Sequence, residues 1–266
     1  MWIKIVFLTD RLVNYKGVRM KIIKIFLFLL VTCGSFYAQT ARELISKAEN
    51  TLKGKTAYGI IEMKVVTPDY ERTLKMESWW VGNEKALIVI KSPKREKGNK
   101  TLKIGNEMWN YLKNTETVIK IPPSMMLQSW NGSDFTNDDL VRESNLANDY
   151  DQKIIAEEKI NGAGCWKIEL IPKPDAPVVW GKIYYWVRKT DYLPALVQYF
   201  DENGKLIRYM EFSDFKKMGG RKIPTRWKMV SVVNEGHSTE LKLIKMKFDI
   251  KIDDSIFSLE ELERGD

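Results

Sequence analysis

The chain has 266 residues, 44% of them hydrophobic, which is enough apolar material for one large core or two smaller ones and too much for a disordered chain. Its formal charge of +8 suggests a nucleic-acid binder only until the charge is located. Lys4, Arg11, Lys16, Arg19, Lys21 and Lys24 are offset only by Asp10, so +5 of that charge sits in the first 38 residues and the rest carries no basic footprint for nucleic acid.

The N-terminus reads as an export signal. Met20-Lys21-Ile22-Ile23-Lys24 is a basic start, Ile25 to Val31 is an apolar run, and small or polar residues lead through Ser35 to Ala38-Gln39. The apolar run is shorter than the roughly 20 residues a membrane-spanning helix needs. Residues 1–19 are a preface that such a signal does not use, so Met20 is the expected true start and 39–266 the expected mature domain. Cleavage after Ala38 gives a protein beginning at Gln39. Alternatively, Leu30-Val31-Thr32-Cys33 is a lipobox, with Cys33 acylated and anchoring the protein to a membrane. Either way Cys165 is the one thiol left in the mature domain, and its core has to hold without an internal disulfide.

Thr40-Ala41-Arg42-Glu43 has capping-box spacing, Leu44, Ile45, Ala48 and Leu52 recur at helical intervals, and Gly54 stands at the stop. One amphipathic helix is expected there. The period then falls to two: Ile61, Met63 and Val65; Leu74, Met76 and Trp80; Ala86, Ile88 and Ile90; Trp109 and Tyr111; Val118 to Ile121. A second block follows with Ile154–Ile160, Trp166 to Leu170, Ile183–Val187, Ala195 to Tyr199, Leu206–Phe212, Ile223–Val233 and Leu241–Ile250. Turns such as Asn161-Gly162, Asn203-Gly204 and Gly219-Gly220 separate these runs. About eleven strands in sequence favour a strongly curved antiparallel sheet. Between the blocks, Pro122 to Tyr150 breaks the alternation. Met125, Met126, Leu127 and Trp130 stand there beside cap and turn formers, which predicts short helical pieces lying over the sheet. The architecture is mainly β: a half-barrel with a helix before it and helices over its open side.

Chemistry is sparse. His237 is the single histidine, so serine–histidine or cysteine–histidine catalysis and multi-histidine metal sites have at most one possible histidine, and after the turn Glu235-Gly236 it reads as a solvent-exposed turn residue. Cys165 has no basic neighbour and reads as a small structural residue. Asp134, Asp138 and Asp139 lack calcium-loop spacing and read as helix caps. Lys94 to Lys100 lacks P-loop spacing and reads as a solvated hairpin tip. No nucleophile–base pair, cofactor motif or metal set is visible, which argues against an enzyme. What stands out is nine Trp and eleven Met, residues that build broad, adaptable apolar walls.

Several stretches together resemble the outer-membrane lipoprotein-sorting proteins of the LolA-like superfamily. They are Lys91-Ser92-Pro93 to Gly98, Glu107-Met108-Trp109-Asn110-Tyr111-Leu112, Gly132-Ser133-Asp134-Phe135 through Leu140, Asp191-Tyr192-Leu193-Pro194, Tyr199 to Lys205 and Lys222-Ile223-Pro224. The likeness runs through roughly residues 40–260. It implies an unclosed β-barrel with a helical lid, an apolar cavity for the acyl chains of lipoproteins or lipids, and a periplasmic setting. It also implies an inner-membrane transporter and an outer-membrane acceptor as partners, with no nucleic acid, no cofactor and a monomeric carrier. The candidate apolar lining is Met76, Trp80, Ile88, Ile90, Trp109 and Tyr111 from the strands, with Met125, Met126, Leu127, Trp130 and Phe135 from the insert. Two other readings stay open: a carrier or sensor of free lipid or glycolipid, and a non-enzymatic protein-interaction module of the envelope.

Overall fold

The computed structural model describes residues 40–142, 146–176 and 178–264; the expected start at Met20, the cleavage after Ala38 and the lipidation at Cys33 lie outside them. The described chain opens on helix α1 (Ala41–Lys53), whose capping box forms as its spacing predicts. Thr40 Oγ1 accepts from the Glu43 N–H at 3.2 Å, and the Glu43 carboxylate accepts from the Thr40 N–H at 2.9 Å. Leu44, Ile45 and Ala48 form its buried face, and Gly54 ends it at φ +66°, a conformation that strains any residue with a Cβ.

Strands β1 (Thr56–Val66), β2 (Glu71–Val81), β3 (Lys85–Ser92), β4 (Lys100–Ile104), β5 (Glu107–Leu112) and β6 (Thr117–Lys120) form the first block. The second is β7 (Tyr150–Ile160), β8 (Ala163–Pro172), β9 (Lys182–Arg188), β10 (Pro194–Phe200), β11 (Leu206–Met218), β12 (Arg221–Ser231) and β13 (Ser238–Phe248). All thirteen join one antiparallel sheet in the order β6-β5-β4-β3-β2-β1-β13-β12-β11-β10-β9-β8-β7. Among the described residues the count is thirteen rather than about eleven. One strand that alternation passes over is β4, because Lys-Thr-Leu-Lys-Ile puts lysines on both faces while Lys100 to Lys103 are all buried.

This order fixes where the cover must lie. First and last strands meet in the middle, Met63 pairing with Leu241 on one side and Leu74 on the other. The edge strands β6 and β7 are consecutive in the chain yet at opposite ends of the sheet, so the barrel is unclosed and residues 121–149 must cross its open side. That crossing holds 3₁₀ turns at Pro123–Met125 and Trp130–Gly132, then α2 (Asn137–Arg142) and α3 (Leu146–Asp149). Curvature shows in the packing: Met76 and Ile88 of the first block line the same cavity as Tyr185, Val197 and Met210 of the second.

The described chain ends on the outer face. Helix α4 (Leu259–Glu263) buries Leu262, with Phe257 just before it, against Leu87, Val89, Leu102 and Tyr111. Lys85 Nζ contacts the Asp254 carboxylate at 2.6 Å, and Lys100 Nζ donates to the Glu261 carbonyl at 3.1 Å. Strands β3 to β5 are thus covered on both faces, and Lys100, expected in a solvated hairpin tip, is buried under this strap.

Candidate functional site

Pairing register orders the concave face of the first block into rows. Ala57, Trp80, Ala86, Lys103 and Met108 stand opposite one another across β1 to β5. Gly59, Ser78, Ile88, Thr101 and Asn110 form the next row, then Ile61, Met76 and Ile90. The second block supplies Tyr185, Val197, Met210, Phe212, Ile223 and Trp227, and β13 supplies Leu241, Leu243 and Met246. From the rows of the first block Ala57, Ile61, Met76, Ser78, Trp80 and Ile88 join these residues and Leu52 of α1 around an apolar cavity of about 210 Å³.

The cover closes the cavity with two side chains from one loop. The Trp130 N–H donates to the Phe135 carbonyl at 2.8 Å and Ser129 bridges Thr136, so both rings stand at the neck of a narrow hairpin. Asn131 and Gly132, at φ +49° and +66°, make its reversal, a left-handed pair that Asn and Gly tolerate best. Trp130 is 3% and Phe135 5% exposed, and both line the cavity.

Polar contacts, rather than apolar packing alone, fasten this cover to the sheet. The Trp130 indole N–H donates to Thr101 Oγ1 at 3.2 Å, and Arg72 of β2 donates to the Asn131 carbonyl and, at 2.9 Å, to Glu96. Thr239 of β13 donates to the Asp134 carboxylate at 2.7 Å. Arg208 of β11 grips Asp139 with both guanidinium nitrogens, one at 2.8 Å, and donates to the Asp134 carbonyl, also at 2.8 Å. The side chains of Arg208 and Asp139 are 5% and 4% exposed, so this ion pair is dry. The aspartates expected only as caps are therefore fasteners: Asp134 and Asp139 bind the sheet, while Asp139 also accepts from the Thr136 N–H at 2.7 Å.

One end of the cavity is polar. Glu49 and Lys53 from the last turns of α1, Gly82 and Asn83 of the β2–β3 turn, and Lys103 all line it, with Lys103 bonded to Asn83 and within charge range of Lys53. Lys103 is 4% exposed and its ammonium donates to the Asn83 carbonyl. Burial lowers its pKa to about 8, with Glu84 opposing that shift and Lys53 adding to it.

Of the expected lining residues, Met76, Trp80, Ile88, Trp130 and Phe135 meet in the cavity. Ile90 and Met126 are buried in the adjoining cluster, with Met125 packed against it. Leu127 is 59% exposed on the outside of the cover. Trp109 and Tyr111 sit on the opposite face, under the C-terminal strap, because a strand buried on both sides gives no apolar signal for which side is concave. Arg208 and Lys103 escaped the sequence reading, yet each left a signal: a cation at an inward position, two residues from Met210 or from Thr101, on a face otherwise apolar or small.

Cys165 is buried on the outer face beside Trp186 and Ala195, and burial pushes its thiol pKa up, away from the reactive thiolate. Among the described residues, no group of three or more His, Cys, Asp or Glu is placed to hold a metal ion.

A family model described as an uncharacterized protein matches residues 82–264, while no curated protein matches. Solved structures share the fold. A DUF1329 family protein from Desulfovibrio piger is 22% identical with a TM-score of 0.76, over 84% of this chain and 97% of its own. A LolA superfamily protein from Nitrosomonas europaea is 22% identical with a TM-score of 0.71, over 84% of this chain and 100% of its own. An outer membrane lipoprotein-sorting protein domain from Vibrio parahaemolyticus is 22% identical with a TM-score of 0.73, over 84% of this chain and 98% of its own.

Proposed function

The chain belongs to the uncharacterized family whose model it matches and has the LolA-like fold, and from that premise we propose that it is a periplasmic carrier of acyl chains. Residues 1–38 deliver the protein across the inner membrane, and 39–266 form the carrier domain. The observation that carries this reading is the cavity itself: an apolar hollow lined from both halves of the sheet and closed by a cover that polar contacts hold in place.

Polar fastening matters for mechanism. An apolar plug would leave the cavity only at the full cost of exposing its surface, whereas hydrogen bonds and ion pairs exchange for water at small net cost. At about 210 Å³ the closed cavity is below the roughly 300–1,000 Å³ usual for ligand sites, so a full acyl chain enters by lifting Trp130 and Phe135 off the wall. Each methylene buried returns about 0.8 kcal/mol, which offsets that opening within a few carbons. Loading comes from an inner-membrane transporter and release is to an outer-membrane acceptor, the lipoprotein acyl chains being the cargo that the fold's relatives suggest.

Native mass spectrometry with lipid extraction tests this on the full chain purified without detergent from a Gram-negative host. A stoichiometric acyl-chain adduct that disappears in Trp130→Asp supports carriage. A clean apo mass, with no uptake of offered lipids or lipopeptides, would sink it.

A further inference from the structure

Among the described residues, two buried cations face the cavity side of the sheet, and one of them is answered by a carboxylate contact. Arg208 meets Asp139, and the pair is spent on closing the cover. Lys103 meets a backbone carbonyl, that of Asn83, and the two further donors of its ammonium have no other hydrogen bond among the described residues. Glu84 is near enough to favour the charge, but with no carboxylate in hydrogen-bond contact the burial is only partly compensated, and a hydrophobic residue of similar length would fill the same space without that cost. Lys103 also lies where a ligand's end would be: at the polar end of the cavity, separated from Trp80 by only Ala86 in its row. From that row to the one holding Met76 and Ile90 is four residues of strand, about 13 Å of apolar wall along which a chain can lie.

We propose that Lys103, with Lys53 facing it from α1, seats an anionic headgroup, so that the cavity prefers amphiphiles ending in a carboxylate or a phosphate. This rests on the acyl-chain reading and narrows its cargo, because the acylated end of a lipoprotein offers an ester and an amide there rather than a charge. Glu49 and Glu84 also stand at this end, so the mouth is no positive funnel. Selection therefore comes from direct contact with the ammonium inside the rim and depends weakly on salt. An anion placed there stabilises the charged form of the lysine that burial disfavours.

The test measures binding of palmitate, hexadecyl phosphate, hexadecanol and inorganic phosphate to the delipidated full chain by calorimetry. Palmitate and hexadecyl phosphate are expected to bind at least ten-fold more tightly than hexadecanol, with no detectable binding of inorganic phosphate. Lys103→Met is expected to erase the preference while retaining hexadecanol, and Lys103→Arg to keep it; thermal melts confirm that both variants fold. Equal affinity for hexadecanol and palmitate, or a preference that survives in Lys103→Met, overturns the headgroup site and leaves the carrier reading intact. Inorganic phosphate binding as tightly as hexadecyl phosphate overturns it in favour of a free-anion site. Failure of all three chain-bearing probes overturns both readings.

Discussion

Lys103 shows what a single side chain on the concave face costs. Its pKa is lowered from 10.5 to about 8 by burial, so between those pH values the unfolded chain binds more protons than the folded one. Stability contributed at this site therefore rises as pH increases through that window and is lowest below it, where both states are protonated and the folded protein holds a buried charge. The gap between wild type and Lys103→Met in urea unfolding isolates the effect from other titrating groups. Lys103→Met is expected to be the more stable protein at pH 7, by about 3 kcal/mol, and the gap to close toward pH 10.5. A gap that does not change with pH would show that the ammonium is solvated. The sequence alone could not supply this. Alternation puts Lys103 on the same face as Thr101, but whether that face is concave depends on Leu102 being claimed by the C-terminal strap.

The elements divide in the same way between legible and hidden. Helix α1 was readable to its caps because its box, apolar face and glycine stop are all local. Most strands were readable because one face is buried and the other is wet, as in β2, where Leu74, Met76 and Ser78 alternate with Thr73, Lys75 and Glu77. The cover was readable as an interruption but not as a mechanism, since its fasteners Arg72, Arg208 and Thr239 come from distant strands, and although each stands at an inward position its partner in the cover is nowhere near it in the chain. Arg208–Asp139 is the strongest of them and makes the sharpest prediction. Asp139→Asn leaves a buried guanidinium without its carboxylate and is expected to lower stability by about 3–5 kcal/mol or release the cover. In either case palmitate uptake, followed by the change in tryptophan fluorescence, becomes faster than in wild type. Arg208→Met combined with Asp139→Leu removes both charges, so stability returns to near the wild-type value and uptake becomes slower than in Asp139→Asn. Unchanged uptake across the three proteins would mean that the cover opens elsewhere.

At the scale of the molecule, the cavity is shared property. Because β1 pairs with β13 at the centre of the sheet, the first and second strand blocks are one continuous surface, and Trp80, Ile88, Tyr185 and Met210 line one hollow. A ligand seated there touches both blocks and the cover, so its binding energy adds to the stability of the whole sheet rather than of one part. Ligand present at 100 times its dissociation constant stabilises a folded protein by about 2.7 kcal/mol. For a domain of this size each kcal/mol is about 2–4 °C of melting temperature, so palmitate is expected to move a single unfolding transition upward by roughly 5–11 °C. A ligand lodged only against an edge strand or the outer face would instead stabilise the part it touches and split or broaden the transition. A sharp, undivided shift, measured by differential scanning calorimetry, thus places the acyl chain between the two blocks. A split transition would place it elsewhere and remove the reason for the cover to open at all.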